Sequence, residues 1–260
     1  MSDPVYAPII RVALGLFRAL DLDITVVGQD QVPAAGGAVV VMNHTGYLDF
    51  TLAGVPFWRS HHRLVRFMAK EQVFRHPVSG PLMRGMKHIP VDRSAGASAY
   101  TAAVDALRAG ELVGVFPEAT ISRSFELKDF KSGAARMARE AGVPLIPVVL
   151  WGSQRIWTKG RKRAMLRDGR HVQVVLSVGA PQVVAADEDA AAATERVKAA
   201  MRDQLTALQA SYPAGPRGAD DRWWQPASLG GTAPTLERAA ELDAAEAAAK
   251  ADARAVKRAG

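Results

Sequence analysis

Short apolar runs alternate with amphipathic stretches from residue 24 to residue 208 of the chain. The runs predict strands at residues 24–27, 38–42, 64–69, 88–91, 112–116, 143–151 and 172–178. Apolar residues at helical spacing predict helices near 97–107, 131–140 and 194–208. Strands that alternate with helices are typical of α/β domains, so we predict a mixed, largely parallel central sheet flanked by helices. Pro144 and Pro147 fall inside one run, which predicts an edge or a bulged position for that strand.

The first 22 residues differ from this domain. Asp3-Pro4 is a typical helix start, and the apolar residues that follow recur at helical spacing. Arg11 and Arg18 are seven residues apart and share a face, which predicts an amphipathic helix with a thin cationic stripe. The helix either lies on a membrane surface or packs on its own domain, and the sequence leaves both interpretations open.

The composition changes again after Tyr212. Residues 213–234 are rich in Pro and Gly, and Trp223-Trp224 looks like an exposed pair. An Ala-rich helix follows from Thr235 to about residue 257. It has few large apolar residues, so we expect it to pack weakly and assign it no chemistry. We therefore divide the chain into a helix at 1–22, a domain at 23–212, and a linker with a helical tail at 213–260.

The chain is basic, with a net charge of +7 and a pI near 9.9, which predicts an anionic partner. Residues 155–170 hold seven Lys or Arg residues against one Asp, so most of the excess lies there. Trp151 and Trp157 flank the start of this segment. Trp beside cations suits a lipid headgroup layer or a phosphate-bearing donor such as coenzyme A, and a solvated loop is the simpler alternative.

Several features are absent from the sequence, and each absence bears on the chemistry or the location that we expect. Cysteine is absent, which excludes a thiol nucleophile, disulfide bonds and thiolate metal sites. No window holds the roughly twenty apolar residues that a spanning helix needs. No signal-peptide cleavage pattern lies near the start. We expect a cytoplasmic protein that can sit on a membrane.

The candidate chemistry centres on residues 38–50, where a buried-type strand ends at Asn43-His44. Gly46 permits a sharp turn, and Asp49 then opens a helical segment. A turn of this kind brings the Asp49 carboxylate to the His44 ring, where it would accept the Nδ1 proton and leave Nε2 as a general base. The alternative is that His44 ends the strand and Asp49 caps the helix, and this stretch alone does not decide.

Two further strands deliver polar residues to the same edge of the predicted sheet. Asp92 and Arg93 follow the strand at 88–91 just before a helix, where Arg93 would suit a phosphate. A structural pair between these two residues is the simpler interpretation. Glu118 and Thr120 follow the strand at 112–116.

Four motifs in order resemble the 1-acylglycerol-3-phosphate acyltransferases, the lysophosphatidic acid or PlsC-like glycerolipid acyltransferase family. They are Asn43-His44 with Asp49, Val91-Asp92-Arg93, Phe116-Pro117-Glu118 and Val143-Pro144-Leu145-Ile146-Pro147. The resemblance covers roughly residues 5–208 and implies the glycerolipid acyltransferase fold. It departs from the family in the third motif, which usually reads Phe-Pro-Glu-Gly-Thr-Arg-Ser, because Ala119 replaces Gly and Ile121 replaces Arg. Arg123, Lys128 or Lys131 could supply the missing charge.

The resemblance implies transfer of a fatty acyl group from acyl-CoA or acyl carrier protein to a hydroxyl of 1-acylglycerol 3-phosphate, giving phosphatidic acid. His44 would be the base, Asp49 would orient it, and backbone amides near Thr45-Gly46 would stabilise the oxyanion. Arg93 would hold the acceptor phosphate and Glu118 would bind acceptor hydroxyls. The remaining candidate acceptor residues are Thr120, Arg123 and Lys131. We expect no metal and no cofactor beyond the thioester, and a peripheral location on the anionic cytoplasmic face of the cell membrane.

Three alternatives remain. The same chemistry could serve another acceptor, either glycerol 3-phosphate or a lysophospholipid. A non-catalytic basic membrane-binding module would explain the segment at 155–170 but gives His44 and Asp49 no role. A metal-dependent hydrolase using these two residues and Asp92 would need further ligands. No stacking platform or recognition helix favours nucleic acid.

Overall fold

The computed structural model describes residues 3–92, 96–161 and 171–259, and a seven-stranded sheet lies at its centre. The strands are β1 (Asp23–Val27), β2 (Ala38–Met42), β3 (Val65–Lys70), β4 (Ile89–Val91), β5 (Leu112–Val115), β6 (Leu145–Trp151) and β7 (Gln173–Val178). Their order in the sheet is β1-β7-β6-β2-β5-β3-β4. All neighbours are parallel except β6 and β7, so β7 and β1 run against the other five. The predicted mixed, largely parallel sheet is confirmed.

Helices cover both faces of the sheet. They are α1 (Tyr6–Ala19), α2 (Asp49–Ala53), α3 (Val55–His61), α4 (Glu71–Arg75), α5 (Ser79–Gly85), α6 (Gly96–Arg108), α7 (Gly133–Ala141), α8 (Ala190–Ser211) and α9 (Leu236–Ala259). One face of the sheet shares a core with α6, α7 and α8, and the other shares a core with α1, α2 and α3. Apolar surface on both faces of β2 is therefore covered, which explains why all five of its residues are apolar and buried.

Pro147 lies inside the sheet, because β6 has β2 on one side and β7 on the other. The expected edge position is therefore wrong. The pairing changes register by one residue between Val148 opposite Val178 and Leu145 opposite Gln182, and the extra residue lies in the segment after β7, not in β6. The carbonyl of Pro147 still accepts the N–H of Gly179 at 2.8 Å.

The N-terminal helix α1 packs on its own domain. Tyr6 donates its hydroxyl to the carbonyl of Val65 at 2.7 Å, and Phe17 is buried in the core beneath β2. On the opposite face, Val12 is 73% exposed and Leu16 is 44% exposed. One face is therefore occupied by the domain, while the outer face keeps the amphipathic character that the sequence predicts. Within the described residues, no helix combines the length and apolarity that crossing a membrane requires.

The linker after α8 folds back into the core, which the sequence did not indicate. Trp224 is 1% exposed and lies 6.4 Å from the Trp151 ring, and Trp223 packs against the same core under the guanidinium of Arg161. The expected exposure of the Trp223-Trp224 pair is wrong, because the turn at Ala219–Trp224 points the second ring inward. Trp151 is also buried, so its predicted place beside lipid headgroups is wrong.

Candidate active site

Three neighbouring strands end at one edge of the sheet, and a polar residue follows each of them. His44 comes after β2, Glu118 after β5 and Ser153 after β6. The carboxyl ends of adjacent parallel strands lie side by side, so residues distant in the sequence meet at this edge. The site is built from these three strand ends and the turn that leads into α2.

His44 and Asp49 are in contact. Nδ1 of His44 lies 3.0 Å from Oδ2 of Asp49, whose side chain is fully buried. The same oxygen accepts the backbone N–H of Thr45 at 2.6 Å and of Gly46 at 2.7 Å. The predicted meeting of the two side chains is confirmed, and the turn between them is held by the carboxylate itself.

These backbone hydrogen bonds change one expectation. The amides of Thr45 and Gly46 were predicted to stabilise an oxyanion, but both already donate to the Asp49 carboxylate. They hold the dyad and do not point to a substrate oxygen. The predicted oxyanion site at this turn is therefore wrong.

Ser153 supports Asp49 from the neighbouring strand. Its hydroxyl donates to Oδ1 of Asp49 at 2.6 Å and lies 3.1 Å from the hydroxyl of Thr45. Ser153 is fully buried, so these contacts are shielded from water. Both oxygens of the carboxylate are thus fixed by the protein.

The arrangement determines which nitrogen of His44 carries the proton. Two N–H groups already point at Oδ2 of Asp49, so this oxygen accepts and Nδ1 donates. In the neutral ring Nε2 is then unprotonated. The ring stacks on Phe116 with centroids 4.2 Å apart, and its side chain remains 21% exposed. The geometry provides a fixed imidazole with its basic nitrogen available to a substrate.

Glu118 occupies a different position from the one expected. Its Oε1 accepts the backbone N–H of His44 at 2.8 Å, and its Oε2 accepts that of Lys128 at 3.2 Å. The side chain is buried, so it holds the His44 backbone in place and does not reach out to acceptor hydroxyls. Burial raises the pKa of Glu118 to about 8, against the opposing effect of the two N–H donors. The carboxyl is therefore mostly protonated at neutral pH.

Asn43 fastens the start of the turn to β6. Its amide nitrogen donates to the carbonyl of Leu150 at 3.0 Å, and its amide oxygen accepts the N–H of the same residue at 2.7 Å. The side chain thereby continues the pairing of β2 with β6 beyond the last paired residue, Met42. His44 is the next residue, so these hydrogen bonds fix the backbone immediately before it.

The predicted phosphate-binding residues separate into three groups. Thr120 and Arg123 lie together, with Lys128 donating to the hydroxyl of Thr120 at 2.6 Å. Lys131 is exposed on the surface. Arg93 lies outside the described residues. Thr120 and Arg123 are thus the predicted acceptor residues that the structure brings together, with Lys128 beside them.

The structure adds a third cation and two acids to this group. Lys159 follows Thr158, and its ammonium lies 2.7 Å from Asp243 and 2.9 Å from Glu246, both on α9. We call Arg123, Lys128 and Lys159 the cation cluster. The tail, to which the sequence analysis assigned no chemistry, therefore contacts the cation cluster.

The third motif differs from the family where its backbone is constrained. Ala119, which stands where the family has Gly, has a φ of 61°, a left-handed conformation that glycine adopts more easily. Ile121, which stands where the family has Arg, is buried. At this position the chain therefore has a buried apolar side chain instead of a cation.

Sequence reasoning missed Ser153, Lys159 and the acids of α9. Ser153 had one signal, a Gly-Ser pair directly after the strand predicted at residues 143–151. Lys159 was visible only as one member of the basic segment at 155–170, of which residues 162–170 lie outside the described part. Asp243 and Glu246 had no signal beyond the general charge of the tail.

The chain is similar to known acyltransferases. Residues 23–151 match the family model described as Acyltransferase. A 1-acyl-sn-glycerol-3-phosphate acyltransferase of Bacillus subtilis is 28% identical over 163 residues, covering 61% of this chain and 79% of that protein. One from Chlamydomonas reinhardtii is 30% identical over 187 residues, covering 70% of this chain and 54% of that protein. The chain therefore spans about half the length of the algal relative.

A solved structure has the same fold. The crystal structure of PlsC from Thermotoga maritima, a 1-acyl-sn-glycerophosphate acyltransferase, superimposes with a TM-score of 0.66 at 23% identity. The match covers 80% of this chain and 81% of the other. With the matching family model, it confirms the fold that the four motifs imply. Residues 23–151 are an acyltransferase domain, similar in sequence and in fold to the 1-acyl-sn-glycerol-3-phosphate acyltransferases.

Proposed function

We propose that this acyltransferase moves a fatty acyl group from acyl-CoA or acyl carrier protein to the free hydroxyl of 1-acylglycerol 3-phosphate, giving phosphatidic acid for phospholipid synthesis. The observation that carries the proposal is the contact between Nδ1 of His44 and the buried carboxylate of Asp49. Relatives named for this acceptor support the choice of substrate.

The dyad supports direct attack. Nε2 of His44 takes the proton of the acceptor hydroxyl as its oxygen bonds to the thioester carbonyl carbon. Asp49 keeps the ring oriented and stabilises its positive charge. The C–S bond then breaks, the ester remains on the acceptor, and the leaving thiolate takes the proton from the imidazolium. The scheme uses no metal and no cofactor beyond the thioester, and it forms no acyl-enzyme.

The acceptor phosphate has a candidate site beside the dyad. Arg123 and Lys128 converge near Thr120, within one segment that begins at the site edge of β5. A guanidinium fork and an ammonium are suited to phosphate oxygens. Because Ile121 is buried where the family has Arg, these cations would replace that contact, and an acceptor such as glycerol 3-phosphate or another lysolipid remains the alternative.

We further propose that the protein works as a peripheral protein at the anionic cytoplasmic face of the cell membrane. The outer face of α1 combines exposed Val12 and Leu16 with Arg11 and Arg18. An apolar stripe beside cations suits the boundary between headgroups and acyl chains.

The experiment that tests the function is thiol release from palmitoyl-CoA with lysophosphatidic acid, in wild type and His44→Ala. We expect acceptor-dependent release that falls by about 10²- to 10⁴-fold in the variant, the usual contribution of a general base. His171→Ala is the matched control, because His171 also contacts a carboxylate, Asp21, but lies on the surface. Full release by a folded His44→Ala protein would refute the mechanism, whereas no release by wild type would favour a non-catalytic membrane-binding module.

A further inference from the structure

The cation cluster lies directly beside the turn that carries the dyad. Ser122 donates its N–H to the carbonyl of His44 at 2.7 Å. Thr158 donates its hydroxyl to the carbonyl of Thr45 at 2.6 Å. The next residue after each of these two donors belongs to the cluster. Two separate segments therefore bring cations next to the turn that carries the dyad.

Helix α9 places two carboxylates on this cluster. Asp243 accepts from Arg123 at 2.9 Å, Lys128 at 3.0 Å and Lys159 at 2.7 Å. Glu246 accepts from Arg123 at 2.6 Å and from Lys159 at 2.9 Å. Every cation of the cluster is thus bound by an acid from the end of the chain.

The rest of α9 contributes little to its attachment. Ala239 is buried, and Leu242, Asp243 and Glu246 are half-buried, whereas the other residues from 236 to 253 are exposed. The four lie at helical spacing on one face. The two acids are therefore the main polar attachment of a helix that buries almost no apolar surface.

Asp243 and Glu246 together resemble a phosphate monoester in their negative charge and in the hydrogen-bond donors that they accept. A phosphate monoester carries a charge of about −1.5 to −2 at pH 7 and offers three acceptor oxygens. Two ionised carboxylates have a similar total charge, and here they bind all three cations of the cluster. The contacts are also exchangeable, because the cluster's side chains are 16–24% exposed and ion pairs in reach of water contribute little each.

We infer that α9 is a plug: Asp243 and Glu246 occupy the place of a substrate phosphate monoester on the cation cluster, and the phosphate must displace α9 to bind. The inference assigns Lys159 to phosphate binding together with Arg123 and Lys128. It rests on the proposed function only for the source of the phosphate, which is either the acceptor or the 3′-phosphate of coenzyme A. Release of α9 then accompanies substrate binding.

The test compares two double variants of the full chain. Asp243→Asn with Glu246→Gln removes the plug's charges, whereas Glu237→Gln with Glu241→Gln removes two exposed charges from the same helix. The probe is glycerol 3-phosphate, and its affinity is measured by calorimetry. We expect binding about tenfold tighter in the plug variant than in wild type or the control, which corresponds to a plug docked about nine-tenths of the time.

A second measurement follows α9 itself. Glycerol 3-phosphate should accelerate amide hydrogen exchange across residues 236–253 in wild type, because displaced helix opens more often. Coenzyme A and its form lacking the 3′-phosphate, tested in the same way, show whether donor phosphate displaces the plug as well. Equal affinity in wild type and the plug variant, or no phosphate binding by the plug variant, would overturn the inference.

Neither readout requires catalysis, so the two proposals fail separately. A chain that binds glycerol 3-phosphate by releasing α9 but transfers no acyl group would refute the proposed function alone. A chain that transfers acyl groups with the same KM for the acceptor and the same KM for acyl-CoA in the plug variant and the control would refute the plug alone.

Discussion

The dyad turn and the cation cluster lie side by side, but they are assembled over very different distances in the chain. Asp49 holds its own turn through contacts that span three to five residues. The cluster meets α9 through contacts that span 84 to 123 residues. The spacing of His44 and Asp49 in the sequence predicts the contacts within the turn. The contacts between the cluster and α9 depend on where the C-terminal helix packs in the folded chain.

The two regions also differ in their exposure to water. The Asp49 side chain is fully buried, and each of its oxygens is fixed by the protein. The cluster's ion pairs are partly exposed and are therefore weakened by salt. We expect the dyad to behave as a fixed catalytic element and the cluster to exchange its partners.

The largest effect is expected from Asp49→Asn. An amide cannot accept all the N–H and O–H donors that the two oxygens bind, and it stabilises imidazolium poorly. We expect kcat for acyl transfer to fall by about 10²- to 10⁴-fold, as is usual when general base catalysis is lost. Thiol release at saturating acceptor measures it.

Asp21→Asn is the matched control for this variant, because Asp21 binds His171 at 2.6 Å on the surface. It should leave kcat unchanged. If Asp49→Asn is folded and keeps wild-type kcat, the buried carboxylate has no catalytic part, and the contrast between the two regions loses its basis.

A smaller effect is expected from the pH dependence of Glu118. Its folded pKa of about 8 lies above the ordinary value of 4.5, so its contribution to stability is full below pH 4.5 and is lost as pH rises through 8. The loss is on the order of a few kcal/mol. Glu118→Gln mimics the protonated carboxyl, so thermal unfolding of this variant should vary less between pH 5 and pH 9 than that of wild type.

Glu126→Gln controls for the loss of a glutamate in the same segment, since the Glu126 carboxylate accepts the hydroxyl of Ser228 at the surface. This control should keep the wild-type pH profile. A Glu118→Gln profile as steep as that of wild type would show that another group titrates, and that the dyad turn does not depend on a neutral carboxyl.

The smallest effect is expected from Ala119→Gly, in the turn that joins Glu118 to Thr120. Relief of the left-handed conformation gains about 1–2 kcal/mol, and the greater freedom of glycine in the unfolded chain offsets roughly half of it. We expect stabilisation of at most about 1 kcal/mol, measured by urea unfolding. Ala199→Gly, in the exposed interior of α8, should instead destabilise by about 1 kcal/mol. Destabilisation by both variants would contradict the strain assigned to Ala119.

Much of the fold was readable because its strands are short, apolar and separated by turns. All seven predicted strands correspond to strands of the sheet, and the meeting of His44 with Asp49 followed from the turn at Gly46. The inward position of Glu118 was not readable, because polar residues at a strand end can face the ligand or the neighbouring backbone. Trp224 could not be placed from the sequence for a similar reason. The Pro- and Gly-rich composition around it predicts an exposed linker, whereas packing against the rest of the chain buries the ring.

The link from Asn43 to β6 has a consequence for dynamics. Because the Asn43 amide pairs with Leu150 as a strand residue would, His44 is attached directly to the buried strand β6. Fluctuations that open the dyad turn must also open the junction of β2 and β6, whereas α9 can detach by breaking a few partly exposed ion pairs. Local openings would thus first uncover the cation cluster, while the base keeps its alignment until the domain unfolds as a whole.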